Sequence, residues 1–233
     1  MLGTLRLSRE PTPERSSRGG LVVLTAFAGL VSGLITVGLV YPIGQLSIRH
    51  HQLAMYLLGA PFGAVLAAYL ASYKLLRGLG GSWRAIFLVT VSMGTYFVSF
   101  ILAALVEFAV HAGRFHTQTG SISPISLFPG GFVGGFVILG TVTLLVYPTT
   151  NFASLRQRIF FAAILSGALG VIGWALGPYF GIHLWSALHA LGCTPPDETF
   201  QNALLGDRSR WLSLFVVWQT GTAFLLGFIL RRR

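Results

Sequence analysis

The stretch IFLVTVSMGTYFVSFILAALVEF, Ile86 to Phe108, decides the fold class of this chain. It contains no charged residue before Glu107, near its end. A helix rising about 1.5 Å per residue needs roughly 20 apolar residues to cross the hydrocarbon core of a bilayer. The stretch is long enough, and it lacks the alternation of apolar and polar residues that is typical of a half-buried strand. It therefore predicts a membrane-spanning helix.

The composition of the whole chain supports the same class. Of 233 residues, 54% are apolar and only 9% are charged, whereas soluble domains carry about 25% charged residues. Length alone would permit one or two soluble domains. A chain so poor in charge lacks the polar surface that a water-soluble globule needs, so we expect a polytopic membrane protein.

Five further segments resemble the first in length and apolar character, which predicts an all-α bundle of six transmembrane helices. The six predicted spans are approximately Leu21–Tyr41, Ala54–Tyr73, Ile86–Phe108, Leu127–Tyr147, Ile159–Tyr179 and Trp211–Leu230. We expect residues 20–233 to form one transmembrane domain. The polar residues 1–19, rich in Pro and Ser, predict a disordered cytoplasmic tail. A cleaved signal peptide is the alternative, but the first apolar run is longer than a signal h-region.

The basic residues predict the orientation of the bundle. With a cytoplasmic N-terminus, twelve of the 16 basic residues fall on the cytoplasmic side, as the positive-inside rule requires. The four on the outer side are Arg49, Arg114, Arg208 and Arg210. Both termini are then cytoplasmic, and a bacterial inner membrane is the simplest location. The net charge of +10 does not indicate nucleic acid, because the arginines are scattered between apolar runs.

Glycine spacing predicts how the spans pack. Lipid gives helices no hydrophobic reason to associate, so small residues at i and i+4 let two backbones approach closely. The candidate packing residues are Gly29, Gly33, Gly59, Gly63, Gly130, Gly134, Gly173 and Gly177. Such faces serve either tight static packing or a sliding interface, and the sequence leaves both open.

Two features are typical of transporters. The first and fourth spans both end in Val-Tyr-Pro, at Val40–Pro42 and Val146–Pro148, and each is followed by two more spans. Two halves of three spans would have opposite orientations, as in many transporters. Pro61 lies inside the second span, where it removes a backbone donor and predicts a kink.

The polar end of the third span, LVEFAVHAGRFH, places Glu107, His111 and Arg114 on one helical face. Glu107 lies 23 residues after Arg84, or roughly 34 Å along a helix, so we expect this helix to overshoot the membrane and its last turns to stand in or near water. One interpretation is a Glu107–His111 contact with Arg114 favouring the helix C-terminus. The other is an outward-facing pocket. The candidate outer pocket comprises Glu107, His111, Arg114, His50 and His51.

All six histidines fall on the outer side of the predicted topology. Histidine clusters can bind zinc, copper or haem, but His50 and His51 are adjacent, and His183 and His189 are six residues apart. Neither spacing makes a helical chelate. Cys193 is the lone cysteine. We therefore predict no metal ligands and no cofactor.

The sixth span carries two polar residues, Gln219 and Thr220, near its centre. A buried amide must find a hydrogen-bond partner, and Thr90, Ser92 or Thr95 of the third span would serve. The candidate mid-membrane polar residues are Gln219, Thr220 and Thr95. The alternative role for Gln219 is contact with a substrate.

The outer region between Gly181 and Arg210 predicts two short helices. The segment GIHLWSALHALG is typical of a helix lying at the interface, with Trp185 as its anchor. A second helix is predicted from Thr194 as N-cap to Gly206 as C-cap.

Three functional hypotheses fit these patterns. The first is permease- or channel-like passage of a small, neutral or weakly polar solute, indicated by the glycine faces, Pro61 and the two halves. The second is a non-catalytic scaffold subunit of a larger membrane complex. The third is a redox or metal-dependent subunit that uses the outer histidines. No catalytic motif is present, so an enzyme is disfavoured. The expected partners are the lipid bilayer and either other membrane proteins or further copies of the chain, and not nucleic acid.

Overall fold

The structure is a computed structural model, and it describes residues 18–73, 75–76, 81–110, 123–147, 152–192 and 208–231. Within these, the side chains of 18–19, 41–55 and 152–154 are not described. The helices are α1 (Arg18–Ser72), α2 (Gly81–Val110), α3 (Pro124–Val146), α4 (Phe152–Ala175), α5 (Ile182–Ala190) and α6 (Arg208–Arg231). A π-helical turn, Gly177–Gly181, joins α4 to α5. No strand occurs in these residues. The predicted class, a polytopic helical bundle, is confirmed.

Helix α1 folds back on itself. Thr25 Oγ1 donates a hydrogen bond to Tyr69 Oη at 2.9 Å, and Tyr69 Oη donates to Leu21 O at 3.3 Å. In a straight helix, Thr25 and Tyr69 would be about 66 Å apart. Helix α1 therefore has two antiparallel arms, Gly20–Val40 and Tyr56–Ser72, which correspond to the first two predicted spans. The helical assignment runs without a break from Arg18 to Ser72.

Five helical segments are long and apolar enough to cross a membrane, and the second arm of α1 is a shorter apolar helix. The five segments are Gly20–Val40, Gly81–Val110, Pro124–Val146, Leu155–Ala175 and Arg208–Arg231. The second arm is about 26 Å long, slightly less than the ~30 Å hydrocarbon core. Helix α2 has 30 residues and a length of about 45 Å, which exceeds the ~30 Å hydrocarbon core.

Successive spans pack antiparallel and form a closed bundle. Arg84 Nη1 donates to Leu145 O at 3.4 Å, so the start of α2 lies beside the end of α3. We call this end of the bundle the Arg84 end, and the opposite end, where α2 ends and α3 begins, the Glu107 end. Gly227 of α6 packs on Val22, so the last helix returns to the first at the Arg84 end. An even number of crossings therefore places the starts of α1 and α2 and the end of α6 together.

The glycines predicted from their spacing lie where helices come into close contact. A Cβ added at any of the eight would come within 3.0 Å of a neighbouring atom. At Gly29 that atom is Gln219 O, at 2.5 Å, and at Gly63 it is Val89 Cα, at 2.6 Å. Gly38 and Gly94 face open space instead. The first set thus allows backbones to touch, as helix association in lipid requires.

The half of the bundle nearest the Arg84 end is densely packed. Its fully buried side chains include Phe62, Leu66, Leu70, Leu88, Ile138, Leu139, Val142 and Leu226. They come from the second arm of α1 and from α2, α3 and α6, so these elements share one apolar core that separates the centre of the bundle from this end.

Helix α5 differs from the predicted interfacial helix in its orientation. Trp185 was expected to anchor it in the membrane interface, but its side chain is only 6% exposed and belongs to the core. Leu184 and Leu188 pack against the same core, because α5 turns its apolar face toward the bundle. The second predicted helix, beginning at Thr194, lies outside the described residues.

Candidate functional site

A cluster of four buried polar side chains lies at the centre of the bundle, and Gln219 of α6 connects them. Gln219 Nε2 donates to Thr36 Oγ1 at 3.0 Å and to Tyr96 Oη. Ser32 Oγ donates to Gln219 Oε1 at 2.5 Å. Gln219 itself is 0% exposed. Both donors and the acceptor of its amide are therefore bonded inside the protein, and the Gln219 cluster joins α1, α2 and α6.

The partners of Gln219 differ from those predicted. The sequence suggested Thr90, Ser92 or Thr95, yet the amide bonds to Tyr96 of that helix and to two hydroxyls of α1. Ser92 Oγ donates to Gly59 O at 2.8 Å instead. Thr95 is buried. The difference arises because α6 packs directly on the first arm of α1 through Gly29 and Gly33, which brings the α1 hydroxyls within reach.

Beside this cluster lies a cavity of about 60 Å³. It is formed between α2, α3, α4 and α6, and its lining residues are Tyr96, Ser99, Phe100, Ala103, Leu127, Gly130, Gly131, Gly170, Trp211, Leu214, Phe215 and Trp218. We call it the aromatic cavity. Tyr96 belongs both to this wall and to the Gln219 cluster, so the two features share one side chain.

Five aromatic rings from two helices form most of the wall. Tyr96 meets Trp218 edge to face at 5.4 Å between ring centroids, and Phe100 lies 5.1 Å from Trp211. The ring of Phe215 contacts both pairs, with its centroid 6.2 Å from that of Tyr96 and 6.1 Å from that of Trp211. The residues recur at helical spacing, with Trp211, Phe215 and Trp218 at i, i+4 and i+7. Sequence analysis missed this site, although that aromatic stripe was the signal that could have found it.

Two polar groups of the cavity wall have no hydrogen-bond partner. They are the indole Nε1–H of Trp218 and the hydroxyl of Ser99. Trp218 is 7% exposed, and a Cβ on Gly131 would lie 3.4 Å from its Nε1. A Cβ on Gly134 would lie 2.9 Å from both Ser99 Oγ and Trp218 Cζ2. Both side chains thus pack closely against the glycine face of α3.

The aromatic cavity occupies the half of the bundle nearest the Glu107 end. Trp211 is three residues after the start of α6 at Arg208, and Trp218 is ten residues after it, or about 5 Å and 15 Å along the helix. The cavity therefore extends from near the Glu107 end to the middle of the bundle. Beyond Trp218 the packed apolar core closes the path to the Arg84 end.

Glu107 joins the last turns of α2 to the start of α3. Its Oε2 accepts the backbone N–H of Ser123 at 2.9 Å and the hydroxyl of Ser126 at 2.5 Å. The expectation that Glu107 stands in or near water was wrong for its side chain, which is only 7% exposed, because the start of α3 covers it. A carboxylate there satisfies an otherwise orphan N–H and suits the positive end of α3.

The rest of the predicted outer pocket cannot be placed. His111 and Arg114 lie outside the described residues, as do the side chains of His50 and His51. Of the mid-membrane candidates, Thr220 Oγ1 is buried without a partner. Within the described residues, no group of three His, Cys, Asp or Glu side chains could hold a metal ion, and His183 and His189 are both exposed on α5.

Comparison with known proteins gives no relative for this chain. No family model, no curated protein and no solved structure matches it.

Proposed function

We propose that this integral membrane protein passes a small, neutral or weakly polar solute across the bilayer, with the aromatic cavity as its binding site. The observation that carries the proposal is a cavity of about 60 Å³ between α2, α3, α4 and α6, lined by aromatic side chains and glycines. Its wall shares Tyr96 with the Gln219 cluster at the centre of the bundle. A small solute of low polarity suits such a lining.

The position of the aromatic cavity supports passage rather than storage. It extends from the Glu107 end to the middle of the bundle. Substrate sites of transporters typically lie near the middle of the membrane. The densely packed core between the cavity and the Arg84 end would then correspond to a transporter state that is closed toward the Arg84 end. With the N-terminus in the cytoplasm, as the basic residues predict, the cavity belongs to the outer half of a bacterial inner membrane.

The scaffold hypothesis is the second candidate, and one observation favours it. All hydrogen-bonding groups of the Gln219 amide are bonded within the bundle, so this amide acts as a link between helices and not as a solute contact. A rigid, fully bonded centre suits a protein that holds partners in place.

Solute flux into proteoliposomes tests the proposal. Wild-type protein should raise the rate of light-scattering recovery for formamide, acetamide, urea or glycerol above that of protein-free vesicles. Ala103→Leu adds bulk at a buried wall position and should return the rate toward that of empty vesicles. Ala104→Leu, on the exposed face of the same helix, is the matched control and should keep the wild-type rate.

The outcome separates the two candidates. Flux equal to that of empty vesicles for every solute, from protein that is folded and correctly inserted, overturns passage. Stoichiometric membrane partners that remain bound through purification in mild detergent would then support the scaffold.

A further inference from the structure

Two exposed arginines lie where α4 and α6 adjoin at the Arg84 end of the bundle. Helix α4 begins six residues after α3 ends, so its start lies at this end together with the end of α6. We propose that Arg158 and Arg231 hold the phosphate of an anionic phospholipid, whose acyl chains lie in the groove between the two helices. Neither residue lines the aromatic cavity, so this proposal goes beyond the proposed function and does not depend on it.

The packing of α4 against α6 brings the two arginines to the same level. Ser166 Oγ of α4 lies 2.9 Å from Thr222 Oγ1 of α6, which places the two helices side by side at that point. Arg158 precedes Ser166 by eight residues and Arg231 follows Thr222 by nine, or about 12 Å and 14 Å along antiparallel helices. The two arginines therefore lie at nearly the same height in the membrane.

Each arginine also lies near the side of its helix that meets the other helix. Leu169 packs against α6, and Arg158 precedes it by 11 residues, which is about three full turns. Val217 packs against α4, and Arg231 follows it by 14 residues, which is about four full turns. Both arginines thus border the groove between α4 and α6, and both are exposed.

The charge at this end has one sign within the part of the chain that the structure describes. Glu107 is the one acidic residue of that part, and it lies at the opposite end. Two like charges at one level on adjoining helices repel each other, and an anion between them removes this repulsion. A guanidinium presents a planar fork of N–H donors that matches phosphate oxygens, so a phosphodiester suits Arg158 and Arg231.

The depth of the two arginines fits a lipid headgroup. Arg231 is the last residue of the apolar span of α6, and Arg158 is the fourth residue of that of α4. Long arginine side chains at such positions extend their charged groups to the headgroup region and leave their methylenes in the apolar layer. A zwitterionic headgroup brings its own cation to the pair, so a lipid with net negative charge is preferred.

Apolar side chains continue the groove from the arginines toward the middle of the membrane. They lie three and seven residues from each arginine, which places them on the same helical face, and they are between 42% and 57% exposed. On α4 they are Phe161 and Leu165, and on α6 they are Phe228 and Phe224. This order of charged and apolar groups matches the headgroup and acyl chains of a phospholipid, whereas a free phosphate ion would use the arginines alone.

Native mass spectrometry of the full-length protein in detergent micelles tests the site. Phosphatidylglycerol should bind saturably and about tenfold more tightly than phosphatidylcholine with the same acyl chains. Arg158→Gln and Arg231→Gln should each weaken phosphatidylglycerol binding by about fivefold and leave phosphatidylcholine binding unchanged. Equal binding of the two lipids by the wild-type protein overturns the proposal.

Arg156→Gln is the matched control. It removes the same charge from an exposed residue of the same helix, but two positions away and therefore on the opposite side of α4. Arg156→Gln should keep the wild-type preference for phosphatidylglycerol. An equal loss in all three variants would show a general attraction of the basic end for anionic lipid and overturns a site between α4 and α6.

Inorganic phosphate in large excess distinguishes a lipid from a free ion. It should leave phosphatidylglycerol bound, because the acyl chains contribute contacts in the groove that the ion lacks. Displacement of phosphatidylglycerol by inorganic phosphate would show that the arginines bind a phosphate ion without a lipid, and would overturn the proposal.

Discussion

Trp218 and Gln219 are neighbours on α6, yet their polar groups have opposite surroundings. The Gln219 amide is bonded to Ser32, Thr36 and Tyr96, whereas the Trp218 indole N–H has no partner, although the Trp218 side chain lines the aromatic cavity. Burial is nearly complete for both side chains. A bonded polar group holds helices together inside a bilayer, and an unbonded one lowers stability. The contrast separates a polar group that links three helices from one that has no hydrogen-bond partner.

Removing the hydrogen bonds of the Gln219 amide should have the largest effect on stability. Gln219→Leu keeps most of the volume but leaves the Ser32, Thr36 and Tyr96 hydroxyls without the amide, so unfolding free energy should fall by about 2–3 kcal/mol. Equilibrium unfolding in mixed micelles with increasing SDS measures it. Thr220→Val is the matched control, because it removes a buried hydroxyl that has no partner. An equal loss of unfolding free energy in both variants would contradict the difference between bonded and unbonded polar groups.

A smaller loss is expected when the helix contact behind the cluster is widened. A Cβ at Gly29 would lie 2.5 Å from Gln219 O and 2.6 Å from Ala223 Cβ, so Gly29→Ala must push α1 away from α6 at a cost of about 2 kcal/mol. Gly38→Ala, on the same arm but facing open space, should leave the SDS midpoint unchanged or raise it. A Gly29→Ala midpoint equal to wild type would show that this packing is not tight.

The hydrogen bonds from Ser123 and Ser126 to Glu107 should contribute less to stability than the Gly29 contact. Glu107→Gln removes the negative charge at the start of α3 but keeps an acceptor for Ser123 N–H, so we expect a loss of about 1 kcal/mol. The same unfolding assay measures this change. Glu107→Ala, which also leaves the Ser126 hydroxyl and Ser123 N–H without their acceptor, should lose more than Glu107→Gln. The reverse ranking would mean that the carboxylate does not cap α3.

The smallest effect on stability is expected when a polar group without a hydrogen-bond partner is removed. Ser99→Ala removes a hydroxyl without a partner, so the unfolding free energy should stay within about 0.5 kcal/mol of wild type, or increase. A large loss of stability would show that this hydroxyl is bonded in the folded protein.

The sequence was sufficient to predict the spans, because apolar length is read directly from the residues. Glycines such as Gly29 and Gly63 were found for the same reason: their spacing has a simple packing meaning. The partners of Gln219 were not predictable, since they depend on which helices touch, and periodicity does not state that α6 lies against the first arm of α1. The aromatic cavity was missed because a void is a property of several helices at once. The reversal within α1 was not predicted, because apolar length gives the two spans but not the backbone that joins them.

The most direct test of the central claim compares two sets of side-chain protons in one sample. In nanodiscs, the Trp218 Nε1–H should exchange with solvent faster than the Gln219 Nε2 protons, after correction for their intrinsic rates, because the indole N–H has no hydrogen-bond partner whereas the amide protons are bonded to Thr36 and Tyr96. Equal protection of both groups would contradict the account. It would mean that the aromatic cavity is sealed and that Trp218, like Gln219, only holds the bundle together.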